Sequence, residues 1–540
     1  MSLDVPVFNT PKNVKSGMNS GIESPLRGAP QLRGNLVNLN PETPNLIKMG
    51  DKTKIDVRYA LIVPYVSCHI YWNREIGELV YEIEEPLLNE KEKEILNEVE
   101  GAIAEMINVS TVSNKGSEGI LEYIDKLLKV VLDELGQKLS EESYSRIFYY
   151  IYKDFVGFNE IEALMRDFFI EDIECNGVNS PVYIVHRIYR NLRTNVIYED
   201  VKKLATFVEK LAQRCGRYVS YASPLLDGTL PEGSRVNATY TTDISSKGPT
   251  FTIRKFTKVP ITPIQLIKLN TLSPEMLAYF WILMQYKCNI LITGGTGSGK
   301  TTLLNAIAFF IPPEARVVSI EDTRELQLPR ENWLPSVTRT GVGGRGEIDL
   351  FTLLKESFRQ NPDYVIVGEV RGKEAAVLFQ GMASGHASMS TIHADSVESV
   401  IQRLETPPIN LSPTLLNTLD VLVVMTHAVA GKQETRKLKE VIEVKEIGAH
   451  GETDSNKLFS WDPKKDVFYF KTDSFVFDKI CKRYGFEKEN LLQEFELRTK
   501  ILLELFNKKI FDFTQIQRVI QDYYKNPKSV LEKYNIKSGE

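Results

Sequence analysis

The sequence feature that most constrains the fold is a glycine-rich loop at residues 294–302, set between two apolar patterns. The loop matches G-x-x-x-x-G-K-[ST] from Gly294 to Thr301. A continuous apolar run, residues 290–292, precedes the loop, and apolar residues at helical spacing follow it over residues 303–311. The pattern predicts a buried strand, a phosphate-binding loop and a helix; an ordinary glycine-rich turn is the alternative.

Each residue type in this loop has a chemical reason to be there. Glycines let backbone N–H groups approach a phosphate closely, and the N-terminus of the following helix attracts negative charge. We expect the Lys300 ammonium to reach the β- and γ-phosphates and the Thr301 hydroxyl to ligate Mg²⁺. No N-K-x-D guanine-reading motif follows the loop, which favours ATP over GTP. The predicted nucleotide-binding residues are Gly294, Gly295, Thr296, Gly297, Ser298, Gly299, Lys300, Thr301 and Thr302.

Net charge, cysteine spacing and apolar runs argue against several classes of protein. The net charge of -5 over 540 residues argues against a protein that coats nucleic acid. The five cysteines are widely spaced and form no C-x-x-C pair, which predicts reduced thiols in a cytoplasmic protein and no zinc site. No apolar run approaches the ~20 residues of a membrane span, and no signal-peptide pattern opens the chain. Any membrane association is therefore expected to depend on a partner.

The length and the composition shifts predict several domains. The first segment is rich in proline and glycine and is expected to be a flexible tail, with a docking peptide for a partner as the alternative. The predicted divisions are a tail at 1–55, an N-terminal α+β/helical region at 56–159, a further N-terminal part at 160–258, a linker at 259–265 and a core from 266 to 540.

Acidic residues follow two apolar runs after the loop. The alternation of strands and helices here predicts a parallel sheet with chemistry at the carboxyl ends of its strands. Glu369 follows the run at residues 364–367 and is the candidate for polarising the attacking water. Glu321 and Glu325 follow the run at residues 317–320 and are expected to hold the metal's water shell or share the base role, with Glu325 preferred. Which of the three is the main base stays open.

Arginine and histidine candidates have two interpretations each. Arg235 and Arg254 lie near strand ends, where they either pair with phosphate oxygens or belong to a solvated strand face. His386 and His393 straddle one predicted strand and are unlike a metal pair. A histidine near a γ-phosphate would donate a hydrogen bond to it, and otherwise each histidine is structural.

Four segments taken together resemble the secretion ATPase superfamily, which drives type II and type IV secretion and type IV pili. The segments are residues 294–301, 320–325, 363–371 and 385–394. The Glu-Asp-Thr-Arg-Glu segment and the basic strand at residues 253–256 are similar to the archaeal and Tad-type branch, and the four-cysteine zinc module of the bacterial type II branch is absent. The segment from Phe459 to the C-terminus resembles the archaellum motor ATPases.

This resemblance, which covers about residues 160–540, implies an α/β fold: a RecA-like P-loop ATPase core, a smaller α+β N-terminal domain and a helical C-terminal extension from about residue 470. It implies a homohexamer in which the part at 160–258 closes over the nucleotide, with the linker as hinge. The residues to which it gives roles are Arg235, Arg254 and Arg371 as clamps, Glu369 and Glu325 as the acidic pair that holds Mg²⁺ through water, and His386 and His393 as a relay of nucleotide state.

The resemblance also implies a function. The expected activity is that of a hexameric ATPase motor that assembles or rotates an archaellum or type IV pilus-like filament through a polytopic membrane platform protein. Other cytoplasmic motor or accessory proteins and an acidic lipid surface at the inner face of the cytoplasmic membrane are further expected partners, with no obligate nucleic acid. The alternatives are an archaeal pilus or secretion ATPase without a rotary role, a DNA-translocating motor, and a nucleotide-gated scaffold.

Overall fold

The computed structural model describes residues 4–6, 41, 44, 46, 51–106, 117–256, 260–339, 346–430, 433–448, 453–471 and 473–536. The chain divides into two compact units. Residues 22–256 form the N-terminal unit. Residues 1–21 and 257–540 form the C-terminal unit, which therefore includes the first residues of the chain.

The first described element lies inside the tail that the sequence predicts to be flexible. Residues Asp4–Pro6 form a short strand, β1, which pairs antiparallel with the strand Val467–Lys471 of the C-terminal unit. Most of the remaining tail lies outside the described residues. The segment predicted to be a flexible tail therefore includes one short strand, because an edge strand can recruit an extended segment through backbone hydrogen bonds alone.

The N-terminal unit is built on one nine-stranded sheet in the order β2-β3-β4-β7-β6-β5-β10-β9-β8. Strands β4 and β7 pair in parallel, with Val80 opposite Arg193. This pairing joins the predicted parts 56–159 and 160–258 in a single sheet, which the sequence division did not anticipate. The strands are β2 (Asp56–Ile62), β3 (Val66–Asn73), β4 (Glu78–Glu84), β5 (Ile170–Cys175), β6 (Pro181–His186), β7 (Arg190–Ile197), β8 (Leu225–Thr229), β9 (Arg235–Thr239) and β10 (Thr250–Arg254).

The helices of this unit lie between the strands in sequence. Three of them form a separate apolar cluster, in which Val99, Ile103, Ile124 and Leu128 are almost completely buried at helical spacing. The helices are α1 (Glu90–Met106), α2 (Ser117–Glu134), α3 (Glu141–Ile151), α4 (Glu162–Arg166) and α5 (Val201–Arg214).

The C-terminal unit is built on a ten-stranded sheet in the order β1-β19-β18-β17-β16-β11-β15-β14-β12-β13. From β16 to β13 the strands run parallel, and from β16 to β1 they run antiparallel. The strands are β11 (Ile290–Gly294), β12 (Val317–Glu321), β13 (Trp333–Val337), β14 (Tyr364–Val370), β15 (Ala387–Ile392), β16 (Val421–Ala430), β17 (Gln433–Ile447), β18 (Thr453–Asp462) and β19 (Val467–Lys471).

Helices cover this sheet, and four of them follow its last strand. The helices are α6 (Pro263–Lys268), α7 (Pro274–Gln285), α8 (Lys300–Ala308), α9 (Leu350–Ser357), α10 (Glu374–Ala383), α11 (Val397–Glu405), α12 (Pro413–Leu416), α13 (Phe475–Tyr484), α14 (Lys488–Asn507), α15 (Phe513–Lys525) and α16 (Pro527–Lys533). None of the helices in the described part of the chain combines the length and the apolar character needed to cross a bilayer.

The linker predicted at residues 259–265 overlaps a helix. The Thr262 side chain accepts a hydrogen bond from the backbone N–H of Gln265, and the Gln265 side chain accepts one from the backbone N–H of Thr262. Pro263 is the first residue of α6. Proline is favoured at that position because its missing N–H would have no helical partner there. The linker prediction is therefore wrong from Pro263 onward, since the proline begins a helix.

The strand order brings the candidate functional residues to one edge of the sheet. Strand β11, which leads into the glycine-rich loop, lies between β16 and β15, and β15 separates it from β14. Because these strands are parallel, their carboxyl ends meet at the same edge. The predicted α/β fold with a RecA-like P-loop core is confirmed.

Candidate nucleotide site

The glycine-rich loop begins where the buried strand β11 ends. All five residues of β11 are buried. A Cβ added to Gly294 would lie 2.5 Å from Ser298 Oγ and 2.6 Å from the carbonyl oxygen of Met425. Since no side chain fits in that space, only glycine allows the loop to fold back against β16.

Lys300 lies across the loop. Its Nζ donates hydrogen bonds to the carbonyl oxygens of Gly294, at 2.9 Å, and Gly295, at 3.0 Å. Burial lowers the pKa of the Lys300 ammonium, and the carboxylate of Glu369 partly opposes that shift. The Lys300 ammonium therefore lies beside the backbone groups of the loop. A phosphate oxygen could replace the two carbonyl oxygens as its hydrogen-bond acceptor.

Glu369 lies at the carboxyl end of β14, as the sequence predicts for an acid beside the loop. Arg371, a predicted clamp, donates from Nη2 to Glu369 Oε2 at 2.6 Å, and its Nη1 lies 3.8 Å from Asp322 Oδ2. The hydrogen bond that Arg371 donates to Glu369 raises the pKa of Arg371. Arg371 is 59% exposed, so its guanidinium can exchange this carboxylate for another anion.

Glu321 has a different role from the other two acids. Its side chain is 2% exposed, and Oε1 accepts the backbone N–H groups of Glu325, at 2.9 Å, and Leu326, at 3.0 Å. Oε2 has no hydrogen-bond partner among the described residues. Burial raises the pKa of Glu321 to about 7. The geometry makes Glu321 a positioning residue for the turn that carries the exposed Glu325.

The two histidines lie at opposite ends of β15. His393 follows the strand at the carboxyl edge, and Arg403 Nη1 donates to its carbonyl oxygen at 2.9 Å. Nearby, Thr293 Oγ1 donates to the carbonyl oxygen of Ala394 at 2.6 Å, which ties this turn to β11. A cavity of about 320 Å³ is lined by Gly295, His393, Ala394, Asp395, Ser399 and Arg403.

His386 does not belong to this site. It precedes β15 at the amino edge, and its ring packs against Phe358 with centroids 4.9 Å apart. It lines a second cavity, of about 270 Å³, together with Asn289 and Asp420, which precede β11 and β16. The structure does not bring the two histidines together, because a six-residue strand places their backbones roughly 20 Å apart. That the pair relays nucleotide state stays a prediction.

Arg235 and Arg254 lie in the N-terminal unit as cross-strand neighbours on β9 and β10. Arg235 forms an ion pair with Asp227 at 3.2 Å, and Arg254 lies opposite Asp172 on β5. Burial raises the pKa of Asp172, and Arg254 partly opposes this shift. Each arginine therefore has a carboxylate within the sheet, which offsets the repulsion between two like charges directly opposite each other. That the pair reaches a nucleotide stays a prediction.

The residues near the loop fit a magnesium ion. Thr301 is the second residue of α8, where its hydroxyl follows the loop directly. The negative charges of Glu369 and Glu325 both act to raise the pKa of Lys300, because both carboxylates lie near the loop. A hydroxyl and two carboxylates are oxygen ligands of the kind that Mg²⁺ prefers, directly or through water.

Sequence reasoning missed two residues at this edge. Glu374 Oε1 accepts the backbone N–H groups of Arg371, at 2.5 Å, and Gly372, at 2.7 Å, and so shapes the turn after β14. It is the first residue of α10, and an acid in the first turn is a general sequence signal for a helix start. Arg436 donates to the carbonyl oxygen of Gly297. No sequence signal identifies that contact, because it depends on the register of β17.

Comparisons with known proteins identify the family of this chain. The family described as "Type II/IV secretion system protein" matches residues 160–457. Uncharacterized protein MJ0900 of Methanocaldococcus jannaschii is 39% identical over 439 residues, which cover 79% of this chain and 78% of that protein. Type IV secretion system protein PtlH of Bordetella pertussis is 31% identical over 264 residues, which cover 43% of this chain and 78% of PtlH.

The solved structure of the pilus retraction motor PilT with bound ADP is also similar. It is 16% identical, and the likeness covers 62% of this chain and 89% of PilT with a TM-score of 0.37. Because that score is low, the fold assignment rests on the strand order and on the geometry of the loop.

Proposed function

The chain belongs to the family of type II/IV secretion system proteins and is a P-loop ATPase, and on this premise we propose that it is a Mg²⁺-dependent motor for a membrane-bound secretion or filament machine. The observation that carries the proposal is the meeting of Lys300 and Glu369 at the carboxyl edge. Lys300 begins the helix that follows β11, Glu369 lies on β14, and these two strands lie on either side of β15, about 10 Å apart. A lysine and a carboxylate at neighbouring strand ends suit a terminal phosphate and an attacking water.

Different residues have different roles in the proposed hydrolysis of ATP. Backbone N–H groups of the loop bind the phosphates, and Lys300 exchanges its two loop carbonyls for phosphate oxygens. Glu369 orients the attacking water and accepts its proton once Arg371 has moved to another anion. Mg²⁺, bound by Thr301 and by Glu369 and Glu325 through water, would neutralise phosphate charge.

We further propose a homohexamer in which the N-terminal unit closes over the nucleotide, with Arg235 and Arg254 as its phosphate contacts. A hydrolysis-driven change in closure would then push on a polytopic membrane platform protein, at the inner face of the cytoplasmic membrane. Cytoplasmic accessory proteins and an acidic lipid surface are further partners in this proposal.

The finer assignment we favour is an archaellum motor that assembles or rotates its filament. Two observations support it: the Glu-Asp-Thr-Arg-Glu segment after β12, and the four helices that follow β19. An archaeal pilus or secretion ATPase without rotation is the alternative, and both use the same nucleotide site.

The test measures ATP hydrolysis with Mg²⁺ against protein concentration, with lipid vesicles or DNA added in separate series. A cooperative rise with concentration, enhanced by vesicles and unaffected by DNA, is expected of sites completed between copies at a membrane. A rate strictly proportional to concentration would overturn the hexamer, and stimulation by DNA alone would favour a DNA motor.

Two matched pairs of variants test the residues. Lys300→Ala should abolish tight ATP binding, whereas Lys355→Ala, which removes an exposed lysine of α9, should not. Glu369→Gln should abolish turnover while ATP still binds, and Glu331→Gln, at an exposed acid before β13, should leave turnover intact. Hydrolysis at the wild-type rate by Glu369→Gln would overturn its role as base.

A further inference from the structure

Arg436 reaches the phosphate loop from a strand that is not part of it. It lies on β17, and its Nε donates to the carbonyl oxygen of Gly297 at 2.9 Å. Gly297 has a left-handed backbone, with φ of 70°, in the middle of the loop. The contact therefore fixes the orientation of a peptide group in the segment that is shaped to hold phosphates.

The side chain of Arg436 also covers the turn into α8. A Cβ added to Gly299 would lie 3.6 Å from Arg436 Cδ and 3.6 Å from Met425 Cε. Met425 lies opposite Gly294 on the neighbouring strand β16, so β16 and β17 together flank one side of the loop. On that side the loop is held by side chains of the hairpin β16–β17.

The charge of Arg436 is not neutralised within the part of the chain that the structure describes. No carboxylate among the described residues forms an ion pair with it, and Nε is the atom that makes its hydrogen bond to Gly297. A guanidinium has five N–H donors, so the donors on Nη1 and Nη2 stay available. An uncompensated cation at the edge of a phosphate loop favours a bound anion.

We propose that Arg436 is a positioning residue for nucleotide binding. By holding the Gly297 carbonyl toward β17, it leaves the N–H groups of the loop directed at the phosphates, and it adds a positive charge beside that of Lys300. This inference rests on the proposed function, since it concerns the same nucleotide. It assigns to the hairpin β16–β17 a part in binding ATP and ADP.

The experiment measures the Kd for ADP and for ATP by titration calorimetry on the full chain. Arg436→Ala removes the donor and the charge and should raise both Kd values about ten-fold or more, the scale of one hydrogen bond that involves a charged group. Arg436→Gln keeps an N–H donor without charge, and Arg436→Lys keeps the charge with a different geometry. Both should give intermediate Kd values, with Arg436→Lys more sensitive to salt than Arg436→Gln.

Lys439→Ala is the matched control, because Lys439 is an exposed cation on the same strand. It should leave both Kd values within about two-fold of wild type, as expected for an exposed charge away from the ligand. Steady-state kinetics add a second readout: Arg436→Ala should raise KM for ATP far more than it lowers kcat.

Unchanged Kd values in all three Arg436 variants, each folded by circular dichroism, would overturn the inference and reduce Arg436 to a packing role. A wild-type chain that binds neither nucleotide would instead overturn the proposed function. If Arg436→Ala does not fold, the comparison of Arg436→Lys and Arg436→Gln with wild type decides the question.

Discussion

His386 and His393 lie just outside opposite ends of the same strand, β15, so that only His393 is at the edge where the phosphate loop lies. The strand between them is buried along its whole length. One sequence segment therefore supplies residues to both edges of the sheet, and the two histidines should respond differently to substitution.

His393→Ala should lower kcat for ATP hydrolysis by about ten-fold or more, because it removes a hydrogen-bond donor beside the proposed γ-phosphate position. His386→Ala should leave kcat near the wild-type value and lower the thermal midpoint, since it removes the ring that packs against Phe358. Steady-state kinetics and thermal unfolding of both variants check this pair. An equal loss of kcat in both would contradict the separation of the two residues.

The buried Glu321 should make stability depend on pH in an unusual direction. Its pKa rises from 4.5 in the unfolded chain to about 7 in the folded protein. Between these values the folded state binds a proton that the unfolded state has lost, so stability falls as pH rises from 4.5 to 7. By about pH 8 the loss is complete, on the order of 3 kcal/mol.

Glu321→Gln should remove that loss, because an amide keeps one oxygen for the N–H groups of Glu325 and Leu326 and never ionises. Urea unfolding of wild type and variant at several pH values provides the measurement. The variant should be the more stable protein at pH 8 and about equal to wild type near pH 4. A constant difference across this range would show that Glu321 does not titrate there.

Arg254→Ala should raise KM for ATP and lower kcat/KM about ten-fold, if Arg254 contacts phosphate in the closed state. The variant should fold normally, because Arg254 is exposed on β10. Lys202→Ala, at an exposed lysine of α5 in the same unit, is the control. An unchanged kcat/KM for Arg254→Ala would place Arg254 on a solvated strand face, the alternative that the sequence left open.

A substitution at Gly381 tests how tightly side chains pack at the amino edge of the sheet in the C-terminal unit. A Cβ at this position would lie 2.2 Å from Phe358 Cζ. Gly381→Ala should therefore lower the free energy of unfolding by about 1–3 kcal/mol through overpacking. Gly101→Ala, on the exposed side of α1 with no atom within 4 Å of the added Cβ, should instead raise it by about 0.5–1 kcal/mol. Adding Phe358→Leu to Gly381→Ala should recover part of the loss.

The sequence predicted the loop, the parallel strands and the acids at their ends because each depends on short-range patterns. The G-x-x-x-x-G-K-[ST] spacing and the apolar runs before Glu321 and Glu369 are local signals. The order of the strands is not local, so the sequence did not show that His386 falls at the far edge or that β4 joins β7. The contact of Arg436 with Gly297 joins residues far apart in the chain, and only the folded register brings them together.

The distinction between Glu321 and Glu325 also needed the structure. Both follow the same apolar run, and the sequence preferred Glu325 without a physical reason for excluding Glu321. Burial of Glu321 and its two backbone hydrogen bonds supply that reason. The choice of main base between Glu325 and Glu369 stays a prediction.

Helix α7 immediately precedes the strand that leads into the loop, yet part of the surface that it packs against comes from the end of the chain. Trp281 on α7 is fully buried, with its ring 5.2 Å from that of Tyr523 on α15 and 5.1 Å from the guanidinium of Arg498 on α14. During synthesis, the apolar surface of α7 therefore leaves the ribosome long before the residues that cover it. The nascent chain must carry that surface exposed until translation is nearly finished, so a message truncated before Phe475 would yield a substrate for chaperones rather than a smaller working enzyme.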